Sequence, residues 1–337
     1  MNVWKLVSAN RLVREEEEIP EPKEGELKVR VTKVLVNGVD ASIYNGDLKV
    51  TYPIVPGRFA VGVIAGENGP IGFEHGTRVF LHTFRPAPDT GTAKKDFTEE
   101  DYEIAGQTAN GYLRDFVCLP EEEISAIPDS VGDDAALLIE LVALAKATLD
   151  ALDIRKGQHV AVIGGDMLGI ILCQLLMYQQ ASPILIDNHT NRLEFARQCG
   201  IYYTLFADDN LVENVAQLTG GRFAEGAIYV TSSGTQDKSL PFKVCAPHTA
   251  VAYSGFHGKD LTVNLDLALK KQITIYGMTN GADYIPAAIN LLANKAIDLS
   301  LFERRAFKAD ACDAAFADMG NNLADRDIRV LNIAELV

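Results

Sequence analysis

A chain of 337 residues is too long for one ordinary hydrophobic core and fits two domains. Its 47 % hydrophobic and 23 % charged residues are ordinary globular composition, and a formal net charge of −15 leaves no basic face for nucleic-acid phosphates. No long apolar stretch follows Lys5, and the most apolar run, Val160–Leu176, is broken by Gly164, Gly165 and Asp166, so neither a signal peptide nor a membrane span is expected. A cytoplasmic protein is the expectation.

The first 130 residues read as β-rich. Strand-like runs at Leu27–Val36, Thr77–His82 and Leu113–Leu119 are separated by Gly, Pro and Asp turns, and the acidic run Glu15–Glu18 reads as a solvated turn. Between the last two runs lies Thr83–Asn110, polar and long for a compact domain. The rhythm then changes. Asp134–Leu152 has helical spacing, His159–Gly165 is a buried strand, Met167–Gln179 a helix, Pro183–Asp187 a strand and Arg192–Cys199 a helix. Strands follow at Ala227–Thr231, Ala250–Phe256 and Ile273–Met278, then a helix at Tyr284–Asn294 and a strand at Arg329–Ile333. Alternating strands and helices imply a parallel, doubly wound sheet. The five cysteines are scattered without a C-x-x-C pair, as buried thiols would be. The six histidines are equally dispersed, and Tyr202-Tyr203 reads as core packing or interface.

A glycine turn between strand and helix is where a dinucleotide diphosphate rests on exposed amides. Here it reads Gly164-Gly165-Asp166-Met167-Leu168-Gly169. Gly164 makes the turn and Gly169 permits close packing, but Asp166 replaces the middle glycine and adds like-charge repulsion. Gly165 offers a one-residue shift that would restore access; the sequence does not choose. Asp187 ends the next strand 18 residues beyond Gly169, where an acid bonds the adenosine ribose and repels a 2′-phosphate, so NAD is expected rather than NADP.

Several segments carry a resemblance: VNGVDASIYNGD (Val36–Asp47), YPIVPGRFAVGVI (Tyr52–Ile64), NGYLRDFVCLPEE (Asn110–Glu122), ALLIELVALAKATL (Ala136–Leu149), VTSSG (Val230–Gly234) and RVL (Arg329–Leu331). The whole chain resembles the zinc-dependent alcohol and polyol dehydrogenases of the medium-chain dehydrogenase/reductase superfamily. The resemblance implies an α/β protein: a GroES-like β-rich catalytic domain over residues 1–135, completed by about 290–337, and a doubly wound Rossmann domain over 136–289. It also implies a homodimer through Thr249–Phe256 and Gln272–Met278, and cofactor contacts from Gly164, Gly165, Asp166, Met167, Leu168, Asp187, Arg192, Ser232 and Arg329.

The same resemblance implies that the metal sites are dismantled. Asn37 stands at the first-ligand cysteine, Arg58 at the histidine and Phe59 at the glutamate beside it; only the carboxylate of the later helix survives, as Glu140. Zinc needs three or four Cys, His or carboxylate ligands. The lobe expected to hold a second zinc, Thr83–Asn110, has no cysteine, so no zinc is expected. In the proton relay Val39 replaces a hydroxyl residue, Ser42 replaces a histidine and Asp40 is retained.

Two roles for Arg58 stay open: an ion pair neutralising Glu140, or donation, with Asn37, to a substrate carbonyl in place of the metal. Asp40, Ser42 and Tyr44 are the nearest candidates for proton delivery. The expected function is a zinc-independent, NAD-preferring oxidoreductase on a small carbonyl, alcohol or activated alkene. The alternative is a redox-inactive or repurposed dehydrogenase scaffold with ligand-binding, lyase- or isomerase-like chemistry.

Overall fold

The computed structural model describes residues 1–66, 70–86, 102–231, 237–255, 262–321 and 327–333. The chain divides into two compact units, one of residues 1–140, 304–323 and 327–337, the other of 141–303 and 324–326.

The first unit opens with a hairpin, β1 (Asn2–Ser8) and β2 (Arg11–Glu16), that the sequence reading did not separate from its β-rich background. Then come β3 (Glu26–Val36), α1 (Gly38–Asn45), β4 (Phe59–Ile64), β5 (Arg78–Leu81), β6 (Phe84–Pro86), β7 (Tyr102–Ile104), β8 (Phe116–Pro120), β9 (Ile124–Ala126) and α2 (Asp133–Ala136). The long β3 alternates buried and half-buried residues up to an irregularity between Val31 and Lys33, as a strand with one face on the core should. It pairs antiparallel with β4 and, along its first half, with β8. Its core face packs Val29, Val31 and Val34 against Val55, Ala60, Tyr112 and Leu113. The lobe expected at Thr83–Asn110 is anchored by the β6–β7 pair, and its residues 87–101 lie outside the described ones.

The single helix expected over Asp134–Leu152 is two, α2 and α3 (Ile139–Ala151), interrupted at Leu137-Leu138. The second unit follows as β10 (His159–Ile163), α4 (Met167–Tyr178), β11 (Ser182–Asp187), α5 (Thr190–Gln198), β12 (Tyr203–Phe206), α6 (Leu211–Leu218), β13 (Gly226–Val230), α7 (Leu240–Val244), β14 (Ala250–Ser254), α8 (Asp266–Lys271), β15 (Thr274–Met278) and α9 (Ile285–Ala293). Its six strands run parallel in the order β12-β11-β10-β13-β14-β15, the doubly wound order whose switch point lies between β10 and β13. The apolar runs of β10, β11 and β13 are buried almost throughout, as strands covered on both faces must be.

The chain then returns to the first unit through β16 (Glu303–Lys308), α10 (Cys312–Asn321) and β17 (Asp327–Asn332), and β17 pairs antiparallel with β3.

Candidate active site

In the first unit, four segments bring polar groups into an otherwise apolar interior. Asn37 follows β3 and caps α1: its Oδ1 accepts the Val39 and Asp40 amides at 2.8 and 3.1 Å, while Asp40 Oδ2 accepts the Asn37 amide at 3.1 Å. This reciprocal box fixes the start of the helix. It also spends the acceptor end of Asn37 and leaves Nδ2 buried, without a hydrogen bond among the described residues.

Arg58 precedes β4 and is 1 % exposed. Its Nη1 donates to Gln107 Oε1 at 2.9 Å, and its carbonyl accepts Thr83 Oγ1 at 3.0 Å. Glu140, in the first turn of α3, is wholly buried, and neither carboxylate oxygen has a hydrogen bond of ordinary geometry among the described residues. The Thr83 amide lies near enough to favour its charge without reaching that geometry.

Two carboxylates therefore flank one guanidinium in a buried interior. Burial pushes Glu140 up to about 7, against the pull of Arg58. Burial likewise pushes Asp40 up to about 6, opposed by Arg58 and by the Asn37, Gly57 and Arg58 amides. Burial lowers Arg58 from its ordinary value while both carboxylates hold it up, and a guanidinium stays charged near neutrality. The ion pair expected between Arg58 and Glu140 is thus a through-space attraction, because neither oxygen of Glu140 takes a hydrogen bond among the described residues while Arg58 Nη1 donates to Gln107.

The structure does not bring Tyr44 into this group. Its hydroxyl donates to Asp313 Oδ1 at 3.0 Å and its ring stacks on Phe316 at 5.0 Å, so it docks α1 onto α10. Ser42 is half-buried on α1, its carbonyl taken by the Leu48 amide. His82 proves to be a half-buried neutral imidazole whose Nε2 meets Ser125 Oγ at 2.9 Å, with burial lowering it to about 4.

In the second unit the glycine turn sits between β10 and α4. Gly164 has φ 113°, a conformation that favours glycine, and a Cβ on Gly169 would lie 1.9 Å from the Gly164 carbonyl. Asp166 keeps an ordinary backbone and caps α4, its Oδ1 accepting the Gly169 amide at 3.0 Å. The carboxylate thereby occupies one amide of the helix terminus. The first-turn amides of Met167 and Leu168 make no backbone bond among the described residues. The turn, which a side chain at Gly169 would force open and whose Met167 and Leu168 amides make no backbone bond among the described residues, therefore fits a dinucleotide diphosphate, with Asp166 as a like-charged neighbour.

Asp187 is placed where the sequence put it, at the end of β11, but it is fully buried and already engaged. Oδ2 accepts the Gly165 amide at 2.7 Å and Arg192 Nη1 at 3.3 Å; Oδ1 accepts the His189 amide at 2.8 Å and meets His189 Nδ1 at 2.9 Å. Four partners fill the lone-pair sites of a carboxylate. Arg192 is thus gathered with Asp187 as its ion-pair partner. Arg329 belongs to the first unit, where its guanidinium, 1 % exposed, is held by Asp318 at 2.7 Å and Asp327 at 3.4 Å. Ser232 lies outside the described residues.

Sequence reasoning missed Gln107 and His189. Gln107 lies 49 residues from Arg58 with no spacing rule to connect them. His189 had a readable signal, an acid two residues before it at a strand end.

Two family models match: the alcohol dehydrogenase GroES-like domain over residues 23–129 and the zinc-binding dehydrogenase domain over 168–294. An uncharacterized zinc-type alcohol dehydrogenase-like protein of Haemophilus influenzae is 22 % identical over 325 residues, covering 94 % of each chain. Among solved structures, an E. coli alcohol dehydrogenase (RspB) complexed with NADH is 21 % identical with a TM-score of 0.84, covering 99 % of each chain. The alcohol dehydrogenase TADH from Thermus sp. ATN1 is 19 % identical with a TM-score of 0.84, covering 99 % of this chain and 100 % of its own. With the doubly wound order of the second sheet and both family domains in sequence, the chain belongs to the medium-chain dehydrogenase/reductase superfamily, in its alcohol-dehydrogenase-like part.

Proposed function

We propose that the chain is a nicotinamide-dependent oxidoreductase that reduces a small carbonyl or activated alkene, or oxidises the corresponding alcohol, without zinc. The observation that carries this reading is a dinucleotide cradle in one unit of a chain whose other unit buries a guanidinium beside donor-bearing Asn37.

The dinucleotide supplies or accepts the hydride. The Met167 and Leu168 amides receive its diphosphate at the opening of α4, and Asp187 holds the turn in shape through the Gly165 amide. Asp187 also favours NAD over NADP by repelling a 2′-phosphate, and its ion pair with Arg192 offsets part of that repulsion, so the preference is expected to be about tenfold. Arg58 and Asn37 Nδ2 donate to the substrate oxygen as negative charge develops there, which is the work a metal performs elsewhere. Asp40 is the proton carrier: Oδ1 has no hydrogen bond among the described residues, and burial brings the carboxyl to about 6. Ser42 is the remaining hydroxyl on the same helix.

Zinc independence rests on the donor chemistry. An amide at 37 and a cation at 58 leave Glu140 as the one family-type ligand, and no group of three His, Cys, Asp or Glu suited to a metal occurs among the described residues. No helix among those residues is long and apolar enough to cross a membrane, and we place the enzyme in the cytoplasm as a homodimer.

The test is calorimetric titration of the zinc-analysed protein with NADH and NADPH. NADH binding about tenfold tighter than NADPH, in protein holding less than stoichiometric zinc, supports the reading. Failure to bind either nucleotide ends it and leaves a redox-inactive scaffold.

A further inference from the structure

Gln107 stands on a closed turn after β7. The Gly106 amide bonds Ala109 O at 2.8 Å, the Gln107 and Thr108 amides bond Ile104 O at 3.0 Å, and the Ile104 amide bonds Thr108 Oγ1 at 2.7 Å. The segment carrying this turn is zipped onto the backbone that carries Arg58. The Gly111, Tyr112 and Leu113 amides bond the carbonyls of Val55, Gly57 and Pro56 at 2.7, 2.9 and 3.0 Å. Contact is so close that a Cβ at Gly111 would lie 2.3 Å from Gly57 O, and one at Gly106 would lie 3.1 Å from the Gly57 nitrogen. The Gln107 amide oxygen is therefore fixed relative to Arg58, 2.9 Å from Nη1.

What that oxygen opposes is Glu140. A buried carboxylate with neither oxygen hydrogen-bonded exerts a strong pull on a buried guanidinium. A closed salt bridge would satisfy Glu140 and consume the face of Arg58 that polarises a carbonyl. Gln107 holds the guanidinium with a neutral acceptor, which orients it without adding a counter-charge.

We infer that Gln107 is the positioning residue for Arg58, keeping its guanidinium from closing onto Glu140. This rests on the role of Arg58 proposed above, and it locates control of the cluster in the turn formed by residues 104–109.

The test is a two-by-two cycle of Gln107→Ala and Glu140→Gln, with Gln107→Met as a second variant that preserves volume. Loss of the Gln107 acceptor is expected to lower kcat about 10- to 100-fold with KM within about threefold, because the interaction lost acts in the transition state. In the Glu140→Gln background the same change is expected to cost less than about threefold, since the carboxylate without a hydrogen bond is gone and the one that remains, Asp40, keeps Oδ2 on the Asn37 amide. A readout without turnover is the urea midpoint at pH 8. Gln107→Ala is expected to hold or raise it in the chain with Glu140 and to lower it in Glu140→Gln. Equal shifts in both backgrounds, by midpoint or by kcat, overturn the inference. Absence of nucleotide binding would overturn the proposed function instead, and the midpoint cycle would still decide the role of Gln107.

Discussion

At the scale of the residue, the first unit stores its strain in charge. Glu140 is raised to about 7 from an ordinary value of 4.5. A raised carboxyl binds its proton more tightly folded than unfolded, so the folded state loses stability as pH rises from 4.5 through 7. The whole effect is on the order of 3 kcal/mol. Glu140→Gln is therefore expected to gain on the native chain by that order between pH 4.5 and 8 in urea denaturation. Parallel pH profiles for the two proteins would refute the buried-charge account. The identity of this cluster was half legible. Arg58 could be picked out because the chain departs there from a resembled pattern, and Glu140 because it keeps to that pattern. Gln107 could not, since it meets Arg58 through a tertiary contact that no local pattern encodes.

Among the elements, α4 shows how a motif can keep its backbone and change its charge. Gly164 and Gly169 are dictated by φ and by close packing, which is why the turn could be read from sequence. The role of Asp166 as helix cap was equally implicit in its residue type, yet it was read only as an obstacle to the diphosphate. Asp166→Ser separates the two roles, because serine caps as well and carries no charge. Its thermal stability is expected to stay within about 1 kcal/mol of the native chain, while NADH binds about fivefold tighter by titration. An unchanged Kd would mean that the carboxylate lies out of reach of the diphosphate. The short helix α1 went unread for a related reason. Asn37 with Asp40 three residues on is a capping box, but both positions were taken for site residues alone.

For the whole molecule, strand alternation and glycine turns made the two architectures and the terminal strand β17 legible, whereas the split helix at Leu137-Leu138 and the elements β16 and α10 depend on tertiary packing. Within the described residues, β15 ends the six-stranded sheet with Ile275 and Tyr276 at 43 % and 36 % exposure. This edge is where the homodimer proposed above would join its two copies. Ile275→Lys combined with Tyr276→Lys is expected to convert a dimer to a monomer in light scattering, with nucleotide affinity retained; a double variant that remains dimeric would place the interface elsewhere. The split of the first unit has a temporal consequence. A ribosome completes the contiguous stretch 141–303 before β17 exists, so the second unit can fold early, while β3 waits with one edge open for a partner roughly 300 residues downstream. Pairing of Val36 with Arg329 is then a closing step, and the chain guards its most vulnerable strand last.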